Sequence, residues 1–435
     1  MKTQIVVVGG GAGGLQLVRL LGARFGRDDY DVILVERNHT HIWKPLLHEV
    51  ATGSLDANLD EVGYRSHGHR WNYRFFYGSL ESVDRQAREV VIAPIHDEDG
   101  TELISRHRIR YDYLVLAFGG MSNDFGIEGV KDHCLFLDNR EQADRFRQKL
   151  LNNCLRVSRG LAADPHAEAY VKVAIVGAGA TGVELAAELF NAAAGLRHYG
   201  LEVFDEARLQ VTLIEAGPRI LPALPDGIAA SARRELELLG VKVLTSTQIA
   251  RVTEQGLVTK TGEVIEADLK LWAAGVKGTD VAEHLADFEI TPTRQIKVLP
   301  TLQTTVDDRI YAIGDCAYYK QEGEARPIPP RAQSAAQMAL TAYKNIVAMI
   351  MNKPLKPFTY RDYGSLVSLS RFSTVGSLMG NLVGGRMAVE GRIARLVYLS
   401  LYRKHLIGIH GFIKGLALIV VGHVNQVVRP RLKLH

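Results

Sequence analysis

Cysteine is scarce in this sequence. Among 435 residues only Cys134, Cys154 and Cys316 occur, an odd set without a Cys-x-x-Cys pair. That excludes a disulfide framework and points to a reducing compartment. It also leaves an iron–sulfur cluster without ligands and a redox-active disulfide without a partner. Long apolar runs are lacking too: the uninterrupted apolar stretch of the tail, Gly415–Gly422, is far short of the roughly 20 residues a membrane span needs. Negative charge is missing from the end of the chain. No Asp or Glu follows Glu390, whereas Arg392, Arg395, Arg403, Lys404, Lys414, Arg429, Arg431 and Lys433 do. The net charge of +4 is too small to argue for nucleic acid. His39, His41 and His48 have no companion spacing that suggests a metal, and none is expected. The first strand pattern begins within a few residues of Met1, so no signal peptide is expected.

Glycine, by contrast, is concentrated where it informs. Gly9-Gly10-Gly11-Ala12-Gly13-Gly14 directly follows Ile5-Val6-Val7-Val8, and Gly177-Ala178-Gly179-Ala180-Thr181-Gly182 directly follows Val173-Ala174-Ile175-Val176. Glycine holds the first, third and sixth place of each. The first permits a tight turn, the second lets backbone approach a pyrophosphate, and the third lets helix pack on strand. The helix N-terminus then faces the phosphates. One match is a weak signal. Two, each followed by a strand ending in an acid, indicate two dinucleotides held at once, the layout of a flavin enzyme that takes hydride from a nicotinamide.

Apolar periodicity extends both patterns. Helices are expected at about Gly13–Phe25 and Gly182–Ala194, and second strands at Asp31–Glu36 and Leu209–Glu215. An irregular stretch around Gly200 lengthens the second crossover. Tyr113–Ala117 runs into Gly119-Gly120, Leu271–Ala274 into Gly275, and a return strand ends in Gly314-Asp315. The fold class is α/β: two Rossmann-like dinucleotide-binding domains, one inserted in the other, plus a C-terminal module. Residues 1–120 and 295–345 would form the first domain, 121–294 the second, and 346–435 the module, after the punctuation of Asn352–Pro357.

Glu36 and Glu215 stand where a ribose 2′-hydroxyl would lie. Each is otherwise a solvated strand end. A carboxylate there repels a 2′-phosphate, so Glu215 favours NADH over NADPH, an expectation that nearby Arg219 tempers. Asp315 reads as a helix N-cap, as an acceptor for flavin ribityl hydroxyls, or both. Ala117–Gly119 and Ala274-Gly275 read as turns beside the cofactors or as plain turns. Glu184 is either an acid favoured by the helix dipole or a group beside nicotinamide and flavin. Gln333 and Gln337 share one helix face. On spacing alone they are polar surface; on a helix aimed at the flavin they become donors to a quinone carbonyl. In the tail, Ile409, Phe412, Ile413, Leu416, Val420 and Val424 fall at helical spacing on one side, with Lys414 and His423 flanking the apolar run. Basic, acid-free, amphipathic and too short to cross describes a helix lying on an anionic membrane surface. The alternative is a helix packed on the protein's own core or on a second copy, a homodimer.

The whole length resembles the type II NADH dehydrogenases, single-subunit NADH:quinone oxidoreductases, and in particular their gamma-proteobacterial branch. The resemblance rests on Val8–Gly14, the loop Asn38–Gly53, Thr181-Gly182-Val183-Glu184, Ile313-Gly314-Asp315-Cys316, Ala332-Gln333-x-Ala-x-Gln337, and the end Arg429–His435. It implies non-covalent FAD in the first fold, NADH as substrate in the second, and a membrane-anchoring tail. By position, Gly9, Gly11, Ala12, Gly13, Gly14, Glu36, Arg37, Lys44, Pro45, Leu46, Ala117, Gly119, Gly314, Asp315, Ala332 and Gln333 are expected around FAD. Gly177, Gly179, Ala180, Thr181, Gly182, Glu184, Glu215, Ala216, Ala274 and Gly275 are expected around NADH. Glu184, Gln333 and Gln337 look like the family's catalytic positions. Where some members carry a histidine, this chain has Ala336, which excludes a histidine relay at that place. The implied activity is hydride transfer from NADH to FAD, then two electrons to ubiquinone or menaquinone, without ion pumping, at the cytoplasmic face of a bacterial inner membrane. The rivals are a sulfide:quinone oxidoreductase-like flavoprotein, which needs a reactive cysteine pair, and an NADH-sensing flavoprotein without turnover.

Overall fold

Ile5, Val6, Val7 and Val8 are buried because their strand, Thr3–Val8, lies in the middle of a parallel sheet. A computed structural model describes residues 2–26, 30–164, 166–196, 206–285, 287–369, 373–380, 385–390 and 402–428. The stretch around Gly200, Arg392, Arg395 and the end Arg429–His435 lie outside the described residues. The chain forms two compact units. One comprises Met1–Lys44, Asp60–Met121 and Val276–Arg361; the other comprises Pro45–Leu59, Ser122–Gly275 and Asp362–His435.

In the first unit five parallel strands run in the order Ile310–Ala312, Tyr113–Leu116, Thr3–Val8, Tyr30–Glu36, Arg74–Tyr77. The register sets Val8 beside Val35 and Leu116, so the glycine loop leaves the carboxyl end of the central strand. Ligands bind at that end in open α/β sheets. The helix Ala12–Phe25 packs against the long helix Ala332–Ile350. The contact is tight: a Cβ on Gly13 would stand 2.9 Å from the Ala335 carbonyl oxygen. An antiparallel sheet, Leu80–Asp84, Glu89–Ile92 and His107–Arg110, extends the unit.

The second unit repeats the plan. Its parallel strands run Lys242–Leu244, Leu209–Ile214, Val171–Val176, Leu269–Trp272. The helix Ala180–Leu196 follows the second glycine loop, and the short helix Leu47–Thr52 packs on it and on Arg140–Ala163. A three-stranded antiparallel sheet, Gly364–Leu369, Ser373–Gly380 and Gly385–Glu390, belongs to this unit, its first strand lying against Ala180–Leu196. The chain from Asp362 onward thus clusters with the second unit, whereas the sequence suggested a module of its own.

Two nucleotide cradles and a buried acid

The two glycine loops are built alike. Gly9 and Gly177 have φ of +105° and +101°, the left-handed region that glycine tolerates. A Cβ on Gly14 would sit 1.9 Å from the Gly9 carbonyl oxygen, and one on Gly182 would sit 2.0 Å from that of Gly177. Only glycine lets each helix close on its own loop. A Cβ on Gly11 or Gly179 would meet no protein atom within 4 Å. Those are the places where backbone must come close to a pyrophosphate, so both cradles fit a dinucleotide.

Each strand-end acid also braces its loop, which the motif did not disclose. Glu36 accepts the Gly10 N–H at 2.7 Å and the Asn38 N–H at 3.0 Å. Glu215 accepts the Ala178 N–H at 2.9 Å and the Gly217 N–H at 2.8 Å. The residue tied back is the second of the motif in both cases. Tyr64 adds a further clamp in the first unit. Its buried hydroxyl donates to the Gly10 carbonyl at 2.8 Å, and its ring stacks near Phe75. Arg219 points away from a phosphate-binding role, since it donates to the Leu224 and Pro222 carbonyls and pairs with Asp226.

In the first unit Asp315 lies in a three-residue turn, Gly314–Cys316, that starts after Ile313. It therefore does not cap the helix, which begins after Arg331. Burial pushes the Asp315 carboxyl up, opposed by the Lys44 ammonium. Lys44 itself donates to the Gly120 carbonyl at 3.1 Å. Gln295, which carries no sequence signal, holds the Asp315 carbonyl at 3.0 Å. Gly119 and Gly314 take left-handed φ values, +77° and +74°, as turns at this strand end require. Arg37 and Ala216 are exposed, one residue beyond their acids.

Glu184 is buried and lies beyond the first turn of its helix, so the helix dipole does not account for it. It stands on Ala180–Leu196 with Oε1 accepting the Ser368 N–H at 3.1 Å and Oε2 lying 3.6 Å from Nδ1 of buried His48. Burial raises its pKa to about 8, against the pull of the Ser368 N–H. Burial lowers that of His48 to about 4, with the Glu188 charge and the Pro45 carbonyl acting the other way. At neutral pH the pair is a carboxylic acid facing a neutral imidazole. Buried Glu188, one turn along, accepts from the Ser54 hydroxyl and the Asn191 amide.

Gln333 and Gln337 are half-buried on Ala332–Ile350. Gln337 is paired with the Arg361 backbone in both directions, donating to its carbonyl at 2.8 Å and accepting its N–H at 3.0 Å. The tail forms two helices, not one. Gly411, at φ +78°, breaks the run after residues 402–410, and Phe412–Val428 follows. Ile409, on the first, is buried at 1% exposure; Phe412, Ile413, Leu416, Val420 and Val421 on the second are exposed, Ile413 at 83%. No helix of the described residues is long and apolar enough to cross a membrane.

Residues 3–339 match the family model described as pyridine nucleotide-disulphide oxidoreductase. Over 99% of both chains, 47% of residues are identical to those of a type II NADH:quinone oxidoreductase from Haemophilus influenzae. The chain belongs to the type II NADH:quinone oxidoreductases. The Staphylococcus aureus (strain NCTC 8325) member of this family is 29% identical over 89% of this chain and 92% of its own. The fold also matches that of NDH2 from Plasmodium falciparum solved with NADH, with TM-score 0.80 over 100% of both chains at 19% identity. The sulfide:quinone oxidoreductase of Aquifex aeolicus shares the fold at TM-score 0.71 and 18% identity, over 98% and 95% of the two chains. This type II NADH:quinone oxidoreductase has no thiols suited to sulfide chemistry. Its three cysteines are buried and free, and desolvation pushes each up to about 12. The thiolate that such chemistry needs is thereby suppressed.

Proposed function

We propose that this chain oxidises NADH and reduces a membrane quinone, with FAD in the first cradle and NADH in the second. The observation that carries the reading is the duplicated cradle: each loop closes through glycine, opens toward a pyrophosphate, and is braced by its own ribose-side acid. FAD bound in the first cradle would supply the redox chemistry, the capacity to take hydride and to pass on two electrons. The chain's residues do the rest. Gly9–Gly14, Glu36, Lys44, Asp315 and the turn at Gly119 hold the flavin nucleotide; Gly177–Gly182, Glu215 and the turn at Gly275 hold NADH. Gln333 donates to a quinone carbonyl, while Gln337 fixes the Arg361 backbone. Glu184, a carboxylic acid at neutral pH, is a proton donor for quinone reduction.

The exposed apolar side of Phe412–Val428, with Lys414 beside it and no acid after Glu390, supports docking on an anionic phospholipid surface. The enzyme then works as a peripheral protein at the cytoplasmic face of a bacterial inner membrane, without pumping ions. Anaerobic mixing tests the reading. NADH is expected to bleach flavin absorbance, and a soluble quinone to restore it; a flavin that NADH leaves oxidised overturns the proposal.

A further inference from the structure

Glu184 is enclosed, so a proton it gives up must be replaced through the protein. Its surroundings within the second unit are specific. Oε1 is occupied by the Ser368 N–H, and Oε2 faces Nδ1 of His48 at 3.6 Å. The opposite ring nitrogen of His48, Nε2, lies 3.9 Å from Oε1 of Glu49. Glu49 is 27% exposed, whereas His48 and Glu184 are almost fully enclosed. The three groups therefore run from solvent to the buried acid, with an imidazole in the middle presenting one nitrogen to each side.

We propose that Glu49 and His48 form the proton path that recharges Glu184. This inference rests on the reading of Glu184 as proton donor. In the step, Nδ1–H of His48 is delivered to the Glu184 carboxylate as Nε2 takes a proton from the Glu49 carboxyl, which is refilled from water. One proton moves inward, no electron moves, and the imidazole resets by the reverse tautomerisation. The separations exceed a direct hydrogen bond by less than about 1 Å, a gap closed by side-chain rotation or one bridging water.

The local chemistry suits a relay. Neutral imidazole is needed, since a fixed imidazolium would hold its proton, and burial keeps His48 neutral. The ring donates to the Pro45 carbonyl, and the Glu188 carboxylate acts on it from the facing helix. Glu188 is held by Ser54 and Asn191, so it is an orienting charge and not a stage of the path. Both His48 and Glu49 sit in the short helix Leu47–Thr52, whose packing on Ala180–Leu196 fixes the imidazole against Glu184.

Proton exchange in the FAD-loaded, full-length protein, without NADH or quinone, tests the path. The protonated-carboxyl infrared band of Glu184, assigned by its loss in Glu184→Gln, is followed after mixing into heavy water. His48→Ala is expected to slow its deuterium shift by about tenfold or more, and added imidazole to restore it. Glu49→Gln, which keeps the size and shape of the side chain, is expected to slow it about threefold or more. Wild-type exchange in either variant, or no protonated Glu184 band at neutral pH, overturns the proposal. If His48→Ala does not fold, Glu49→Gln decides alone. Flavin bleaching and recovery in the same preparations report separately on the oxidoreductase reading.

Discussion

Glu184 makes the sharpest claim at the scale of one residue, because its ionisation is opposed by burial. Its carboxyl is raised from an ordinary 4.5 to about 8, so the folded chain keeps a proton that the unfolded chain releases. Between those values folding binds protons, and stability must fall as pH rises, by up to about 1.4 kcal/mol per pH unit. Glu184→Gln removes that dependence. Urea unfolding from about pH 5 to about pH 9 is expected to give a flatter profile for the variant, with its advantage over the wild type growing toward the alkaline end. An equal slope in both would mean that Glu184 is ionised throughout. His48 acts at the other limb. Its value is depressed from 6.5 to about 4, so its cost to stability grows only as pH falls below about 6.5.

Nucleotide choice is also a single-residue matter. The sequence left Arg219 as a rival to Glu215 for the 2′ position, but the fold commits Arg219 to the Leu224 and Pro222 carbonyls and to Asp226. Glu215→Gln is therefore expected to raise the Michaelis constant for NADH about three- to tenfold, the worth of one hydrogen bond, without creating NADPH activity. Steady-state kinetics with both nucleotides distinguish this from an Arg219-centred site, which would gain NADPH turnover. The glutamines separate similarly. Gln333→Ala is expected to slow flavin reoxidation by quinone about three- to tenfold while sparing reduction by NADH. Gln337→Ala instead costs about 1 kcal/mol or more of stability, because it strips both bonds from the Arg361 backbone.

Among the elements, the glycine loops are where sequence legibility was greatest. Strand, loop and helix were readable because an apolar run, a glycine needing φ near +100° and a glycine without room for Cβ must recur in that order. Gly14→Ala would place Cβ 1.9 Å from the Gly9 carbonyl oxygen and Gly182→Ala 2.0 Å from that of Gly177. Neither loop can close around the added methyl. Gly14→Ala is expected to yield protein purified without flavin. Gly182→Ala should keep its yellow colour and lose NADH affinity. Absorbance spectra and NADH titration check the pair, and flavin loss from Gly182→Ala alone would reverse the cradle assignments. The antiparallel sheets were not legible, for a physical reason. Leu80–Asp84 and His107–Arg110 carry charged residues on their open faces and lie between turns without a strong signal, so no period stands out. The part of the site that was missed follows the same logic. Gln295 and Tyr64 act through contacts made by distant segments, Tyr64 being 54 residues from Gly10, and no local spacing encodes that.

For the whole molecule, the question is how a chain without a spanning helix among its described residues meets a substrate dissolved in lipid. In the proposed docking on lipid, the tail divides the labour between its two helices. Ile409 and Leu406 are buried and hold the helix of residues 402–410 in place. Gly411 then turns the chain, and Gly415 lies against Ile407 so closely that a Cβ would stand 2.8 Å from its Cα. The following helix is thus fixed with Phe412, Ile413, Leu416, Val420 and Val421 facing outward. Exposed apolar groups so placed gain about 1.5–3 kcal/mol each if fully buried, and less on partial insertion at a lipid surface. Ile413→Ser with Leu416→Ser alters two exposed side chains and leaves Leu406, Ile409 and Gly415 in place. The double variant is expected to fold, bind flavin and oxidise NADH with a water-soluble quinone at the wild-type rate. Its binding to anionic vesicles should fall by about tenfold or more, and turnover of a long-chain quinone in those vesicles should fall with it. Salt adds an independent arm, since screening of the basic side chains should weaken vesicle binding of the wild type while leaving soluble-quinone turnover unchanged. Equal vesicle binding by variant and wild type would mean that this face meets a second copy of the chain, and sedimentation would then show the wild type as the larger species.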